Sequence, residues 1–99
     1  MPVEIIWSRL ARARLQEIRE YVAWVRLIKD KPEAAERLAA RIVAVVEALR
    51  NYPRLGRAGA EPGIRELVIG GTPYIVLDRV RGQRVIISTL WHGAQRRER

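Results

Sequence analysis

The 99 residues predict an α+β domain ordered β-α-α-β-β-β, with a two-helix hairpin packed on one face of an antiparallel sheet. Three observations carry this expectation. Two stretches repeat apolar residues at helical spacing, separated only by Asp30-Lys31-Pro32. Three later β-branched runs are joined by glycine-containing turns. A short apolar run precedes the helices, so it must pair with a strand made much later.

The first run, Val3–Trp7, stops at Ser8, whose hydroxyl suits a helix N-cap. From there Ala11, Leu15, Ile18, Val22 and Val25 recur at steps of four and three, forming one stripe, with Arg12, Arg19, Glu20 and Arg26 off it. A helix over Ser8–Lys29 is expected. Pro32 both breaks that helix and fits the first turn of the next. The second helix, Pro32–Asn51, gathers Ala35, Leu38, Ala39, Ile42, Val45, Val46 and Leu49 on one face, and Glu33 and Arg37 stand at i,i+4. So short a break folds the two helices back on each other. Pro53–Gly63 reads as a loop. Strands then follow over Ile64–Ile69, Tyr74–Val80 and Arg84–Trp91, turning at Gly70-Gly71 and at Arg81-Gly82-Gln83. One edge of this sheet is expected to stay open to a partner's extended segment.

Ninety-nine residues hold one core, so a single domain over 1–99 is expected. A hydrophobic share of 48% with 30% charged residues describes a folded chain rather than a disordered one. No apolar run approaches the ~20 residues that span a bilayer. The start MPVEIIWSRL lacks a basic stretch leading a long apolar one, so a cytoplasmic location is expected. Zero cysteines and one histidine exclude disulfides and thiolate metal sites, and no cofactor or metal is expected.

The net charge of +8 is uneven. Residues 1–31 carry seven basic and four acidic groups, 32–78 balance at six against six, and 79–99 hold six arginines against Glu98. That end attracts polyanions, either nucleic acid or an acidic protein segment, unless it serves only as a solvated surface.

Few residues invite chemistry. His92 follows a strand; it either satisfies a neighbouring carbonyl or acts as a general acid, and a lone histidine more often does the former. Ser8 and Ser88 with Asp30 and Asp78 do not suggest a triad. No helix follows Gly70-Gly71, so it is a turn and not a phosphate loop. Trp24 falls opposite the buried stripe of its helix; it is either covered by the 53–63 loop or faces a partner, where Trp and Arg serve as anchors. A nuclease built from this chain would rely on positioned Arg, Tyr and His groups.

Gly63-Ile64-Arg65-Glu66-Leu67, the run Pro73-Tyr74-Ile75-Val76 closing on Arg79-Val80, and the terminal His92-Gly93-Ala94-Gln95 resemble the end of a ParE-type toxin. That is the gyrase-directed branch of the RelE/ParE superfamily of bacterial toxin–antitoxin modules. The resemblance extends to Ala11, Leu15, Ile18 and Tyr21-Val22, and to Leu49 with Pro53-Arg54-Leu55-Gly56-Arg57, so it covers nearly the whole chain. It implies a RelE/ParE-like fold and a stable toxin blocked by a labile antitoxin. RNA-cleaving relatives place a basic residue directly after the strand tyrosine and another just past the turn glycine of the last strand. Here those places hold Ile75 and, after Gly93, Ala94 and Gln95. The resemblance therefore implies a non-enzymatic inhibitor of DNA gyrase that causes growth arrest.

A RelE-type ribonuclease using Arg65, Arg79, His92 and Arg96 is the alternative, and a non-toxic antitoxin-binding member is a third. Asp78 departs from the family pattern, which carries Tyr before Arg-Val. An acid beside the basic strand end is expected to alter partner binding. The partners expected are gyrase and a cognate antitoxin, in a toxin–antitoxin hetero-oligomer. An acidic, disordered antitoxin segment would fold on contact, with a helix against the hairpin and an extended piece towards the arginines. Trp24, Arg79, Arg96 and Arg97 are the residues expected to meet partners.

Overall fold

Ser8 closes the first strand and opens the first helix with one hydroxyl. Its Oγ accepts a hydrogen bond from the Ala11 N–H at 2.9 Å and donates one to the Ser88 carbonyl at 2.8 Å. The computed structural model that shows this describes residues 2–29 and 32–93, with side chains for 2–20 and 37–93. The elements are β1 (Glu4–Trp7), α1 (Arg9–Lys29), α2 (Pro32–Glu47) with a 3-10 turn over Ala48–Arg50, β2 (Arg57–Ala58), β3 (Arg65–Val68), β4 (Tyr74–Arg81) and β5 (Arg84–His92). The expected helix bounds agree to within a residue or so, apart from the tightened last turn of the second.

The sheet runs β1-β5-β4-β3-β2. β3/β4 and β4/β5 are antiparallel as expected and β2/β3 is antiparallel too, but β1 pairs with β5 in parallel, so the sheet is mixed. The reason lies in the helices. The hairpin returns the chain to the end where β1 begins, marked by the Val3 N–H donating to the Arg50 carbonyl at 3.0 Å. β3 starts from that end, and after two reversals β5 runs the same way as β3 and therefore the same way as β1. A parallel neighbour requires such a long crossover rather than a tight turn.

Two further details differ from the sequence reading. The short β2 forms inside the expected 53–63 loop. Gly56 and Gly59 permit it: a Cβ on Gly56 would lie 2.9 Å from the Glu66 carbonyl, and one on Gly59 2.7 Å from that of Ile64. The β3–β4 turn takes four residues, 70–73, between Ile69 and Tyr74, whose backbones still pair at 3.0 Å, rather than the Gly70-Gly71 pair alone. Thr72 closes it, donating through Oγ1 to the Ile69 carbonyl at 2.8 Å and accepting from the Tyr74 N–H at 3.0 Å.

One core joins the hairpin to the sheet. Ala11, Leu15 and Ile18 of α1 and Ala39, Ile42 and Val46 of α2 are buried with Leu49, Leu67, Ile69, Val76, Val85, Ile87 and Leu90. The strand residues in this cluster define the helix-facing side of the sheet; their sequence neighbours point the other way. β5 breaks strict alternation, because Leu77 pairs with Thr89 and Asp78 with Ile87, leaving Ser88 as an extra residue. That bulge turns both Ile87 and Leu90 into the core. Arg41 ties α2 to the far end of the sheet, donating through Nε to the Gly70 carbonyl at 2.8 Å.

Ile42 is fully buried at the centre of this contact. Replacing it with alanine is expected to cost about 2–5 kcal/mol, from lost transfer energy and the cavity left behind. Denaturant unfolding should show a lower midpoint at unchanged slope; a loss under 1 kcal/mol would mean that the hairpin does not pack here.

Candidate functional site

β1 stands at the edge of the sheet, so one side of its backbone lacks a strand partner among the described residues. Beside it, between strand and hairpin, lies an open groove of about 620 Å³. Ile5, Trp7, Leu15 and Val43 contribute apolar lining, and Arg12, Gln16 and Arg19 contribute polar groups. The Arg12 guanidinium approaches the Trp7 carbonyl at 3.4 Å, near the rim. Sequence reading expected an open sheet edge but did not name the residues that line this groove. Its signal was present, because Arg12 and Arg19 stood off the buried stripe seven residues apart on one helix face, but only the fold places β1 beneath them.

The residues considered for chemistry are distributed differently. Arg65 opposes Asp78 across β3 and β4, on the helix-facing side, and donates to the Gly56 carbonyl at 3.0 Å. Arg79 opposes Ile86 and points to the other side, which the helices leave uncovered. His92 opposes Tyr74, with ring centroids 5.4 Å apart in an edge-to-face arrangement, on the helix-facing side. Along β4, Tyr74 and Arg79 are five residues apart, about 17 Å at ~3.4 Å per residue. Arg79 and His92 thus lie on opposite faces and at opposite ends of the strand pair. A general acid and a phosphate-binding cation must meet within hydrogen-bond reach of one substrate group. Arg65, Arg79 and His92 are not brought together. Arg96, Arg97 and the Trp24 side chain lie outside the described residues, as does the Glu33–Arg37 side-chain pair.

Ile75, directly after the strand tyrosine, is only 8% exposed. It pairs with Val68 on β3 and Trp91 on β5, so its surroundings on the helix-free face are apolar. On the same face Glu66 is buried and its carboxylate meets the Arg57 guanidinium at 3.2 Å. Among the described residues, no group of three or more His, Asp or Glu side chains is placed to hold a metal ion. No helix there is long and apolar enough to cross a membrane.

Asp78 is the unexpected feature. It lies on the helix-facing side, opposed by Arg65 and Ile87, fully buried, and neither carboxylate oxygen has a hydrogen-bond partner. Burial pushes its pKa up from 3.8 to about 6, and the nearby Arg65 charge only partly offsets this. The side chain is thus enclosed by the fold and is not presented at the surface beside the basic strand end.

The profile of the ParE toxin of type II toxin–antitoxin systems matches residues 5–97. The chain belongs to the ParE toxin family. It is 42% identical over 91 residues to Y4kP of Sinorhizobium fredii, covering 92% of this chain and 88% of that protein. It is 33% identical over 92 residues to toxin RelE2 of Caulobacter vibrioides, covering 93% and 97% of the two. Among solved structures, the chromosomal ParDE system of P. aeruginosa contains a chain that superposes with a TM-score of 0.76 at 26% identity, covering 91% of this chain and 95% of that one. The RelBE2 toxin–antitoxin complex of Mycobacterium tuberculosis shares the fold, with a TM-score of 0.66 at 20% identity over 93% and 99% of the chains.

For this ParE-family toxin the buried acid sets a pH dependence. The folded-state pKa of Asp78 is raised, so its favourable contribution is full below about pH 4 and is lost as pH rises through about 6. A shift from 3.8 to about 6 corresponds to about 3 kcal/mol of destabilisation at neutral pH and above. Asp78→Asn should flatten the stability profile between pH 4 and 8. Urea titrations across that range would show it; parallel profiles for the two proteins would contradict it.

Proposed function

We propose that this ParE-family toxin arrests growth by binding DNA gyrase and blocking its cycle, with no catalysis of its own. The observation that carries this reading is Ile75. The resemblance to RNA-cleaving relatives would put a cation there, but an enclosed aliphatic side chain cannot neutralise a phosphate. The separation of Arg79 from His92, on opposite faces and about 17 Å apart along the strand, supports the same reading. The purified toxin is expected to inhibit gyrase supercoiling, or to trap gyrase-cleaved DNA, while messenger RNA stays intact. RNA cleavage that is lost in Arg65→Ala or His92→Ala would replace this reading with the ribonuclease one. Inactivity in both assays, with antitoxin binding retained, would assign the chain to the non-toxic members.

A cognate antitoxin is the second partner, and the similarity to chains from the ParDE system and the RelBE2 complex supports it. The free edge of β1 and the groove beside it suit an extended segment that adds a strand and inserts alternate apolar side chains. Arg12 and Arg19 give acidic residues on that segment a rim to meet, with Arg79, Arg96 and Arg97 as further cations. Rim charges mainly govern the rate of encounter. Reversing Arg12 and Arg19 to glutamate should therefore slow association, and weaken its salt dependence, more than it speeds dissociation. Surface plasmon resonance at several salt concentrations is the measurement; a salt-independent association rate in the unmodified toxin would contradict this placement.

A further inference from the structure

We propose that Asp78 and Arg65 form a charge-operated latch on the loop that carries β2: with Asp78 neutral, Arg65 holds the Gly56 carbonyl, and when Asp78 ionises the guanidinium crosses to the carboxylate and releases the loop. The geometry carries this. Arg65 and Asp78 are directly opposed on the same face of antiparallel strands, where Cβ atoms stand about 4.5–5.5 Å apart, within the span of an arginine side chain. In the structure the guanidinium instead donates to the Gly56 carbonyl at 3.0 Å, and both Asp78 oxygens are unpartnered. That arrangement suits a protonated acid. A buried carboxylate without a partner is costly, and the nearest remedy is the cation already beside it.

Among the described residues, the other surroundings of Asp78 supply no charge. Val76 and Val80 flank it on β4, and Ile87 opposes it on β5. The residues that α2 and the following 3-10 turn send into the core are Ile42, Val46 and Leu49. Among the described residues, Arg65 is the charged group that acts on it. Glu66 and Arg57 pair on the opposite face of the sheet.

The loop has a second dependence on this contact. Gly56 is buried, and a Cβ there would lie 2.9 Å from the Glu66 carbonyl, so its position is set by close packing and by the Arg65 hydrogen bond together. Arg65 also lines a cavity of about 230 Å³ beneath the loop, with Arg54, Gly59, Glu61, Ile64 and Val80. Withdrawal of the guanidinium would open that cavity and loosen the pairing of β2 with β3.

Amide hydrogen exchange of residues 51–59 between pH 5 and 8, corrected for the intrinsic rate of exchange, tests the latch. In the unmodified toxin protection should fall about ten- to a hundredfold on passing through about pH 6, as expected for loss of one hydrogen bond from a charged donor. Asp78→Asn should keep the loop protected throughout, and Arg65→Met should leave it unprotected at every pH. NMR of the unmodified protein gives an independent reading, with the Asp78 carboxyl carbon and the Arg65 Nε signal titrating together. Loop protection that is flat with pH, a pH step that survives in Asp78→Asn, or an Arg65 signal that ignores the Asp78 titration would overturn the proposal.

Discussion

Three elements meet at Ser8, and the arrangement of the molecule depends on that junction. The Ser8 N–H donates to the Ile87 carbonyl at 2.9 Å, its hydroxyl donates to the Ser88 carbonyl, and its oxygen caps α1 through the Ala11 N–H. The parallel β1–β5 pairing, the entry of the helical hairpin and the β5 bulge are thereby held by one residue. The bulge has consequences beyond its own site. With strict alternation from Val85 and Ile87, Thr89 and Trp91 would face the helices. One extra residue sends Leu90 and His92 there instead and leaves Trp91 beside Ile75 on the helix-free face.

The two buried acids show how placement decides the cost of a charge. Glu66 on the helix-free face meets Arg57, whose side chain is 60% exposed, so the pair keeps contact with water. Among the described residues, the charge that acts on Asp78, one strand over and on the other face, is Arg65, and that guanidinium is hydrogen-bonded elsewhere. Desolvation outweighs the attraction, which is why its pKa rises rather than falls. A core position flanked by valines is an expensive place for a carboxylate, and stability alone does not account for it.

The same two faces organise the functional reading. Helices cover one side of the sheet, and the edge of that side opens into the groove beside β1, where backbone groups, apolar lining and arginines coincide. The uncovered side carries Arg79 and the apolar Ile75 environment. A reaction centre would need its groups on one side and close together; an inhibitor that works by binding needs only surface. The proposed function makes the second requirement.

Local chemistry was legible in the sequence. Apolar spacing marked both helices, Ser8 identified itself as a cap, Pro32 placed the break, and the motifs after Gly63 identified the family, because each depends on residues close together in the chain. Side-chain burial within the helices also followed for Leu15, Ile18, Ile42 and Val46, which form a stripe that must be buried, while Val22, Val25 and Ala35 of that stripe lie outside the described side chains. Tertiary structure decided the rest. The direction of the β1–β5 pairing depends on where the hairpin returns the chain. The groove exists only because Arg12 and Arg19 come to lie over an edge strand. In the sequence Asp78 was an acid before an arginine, with no sign of which face it would occupy. Its enclosure beside Arg65 follows from strand register, which is set by the hairpin turns and the bulge, and in a pleated sheet a shift of one residue would have turned that carboxylate to water.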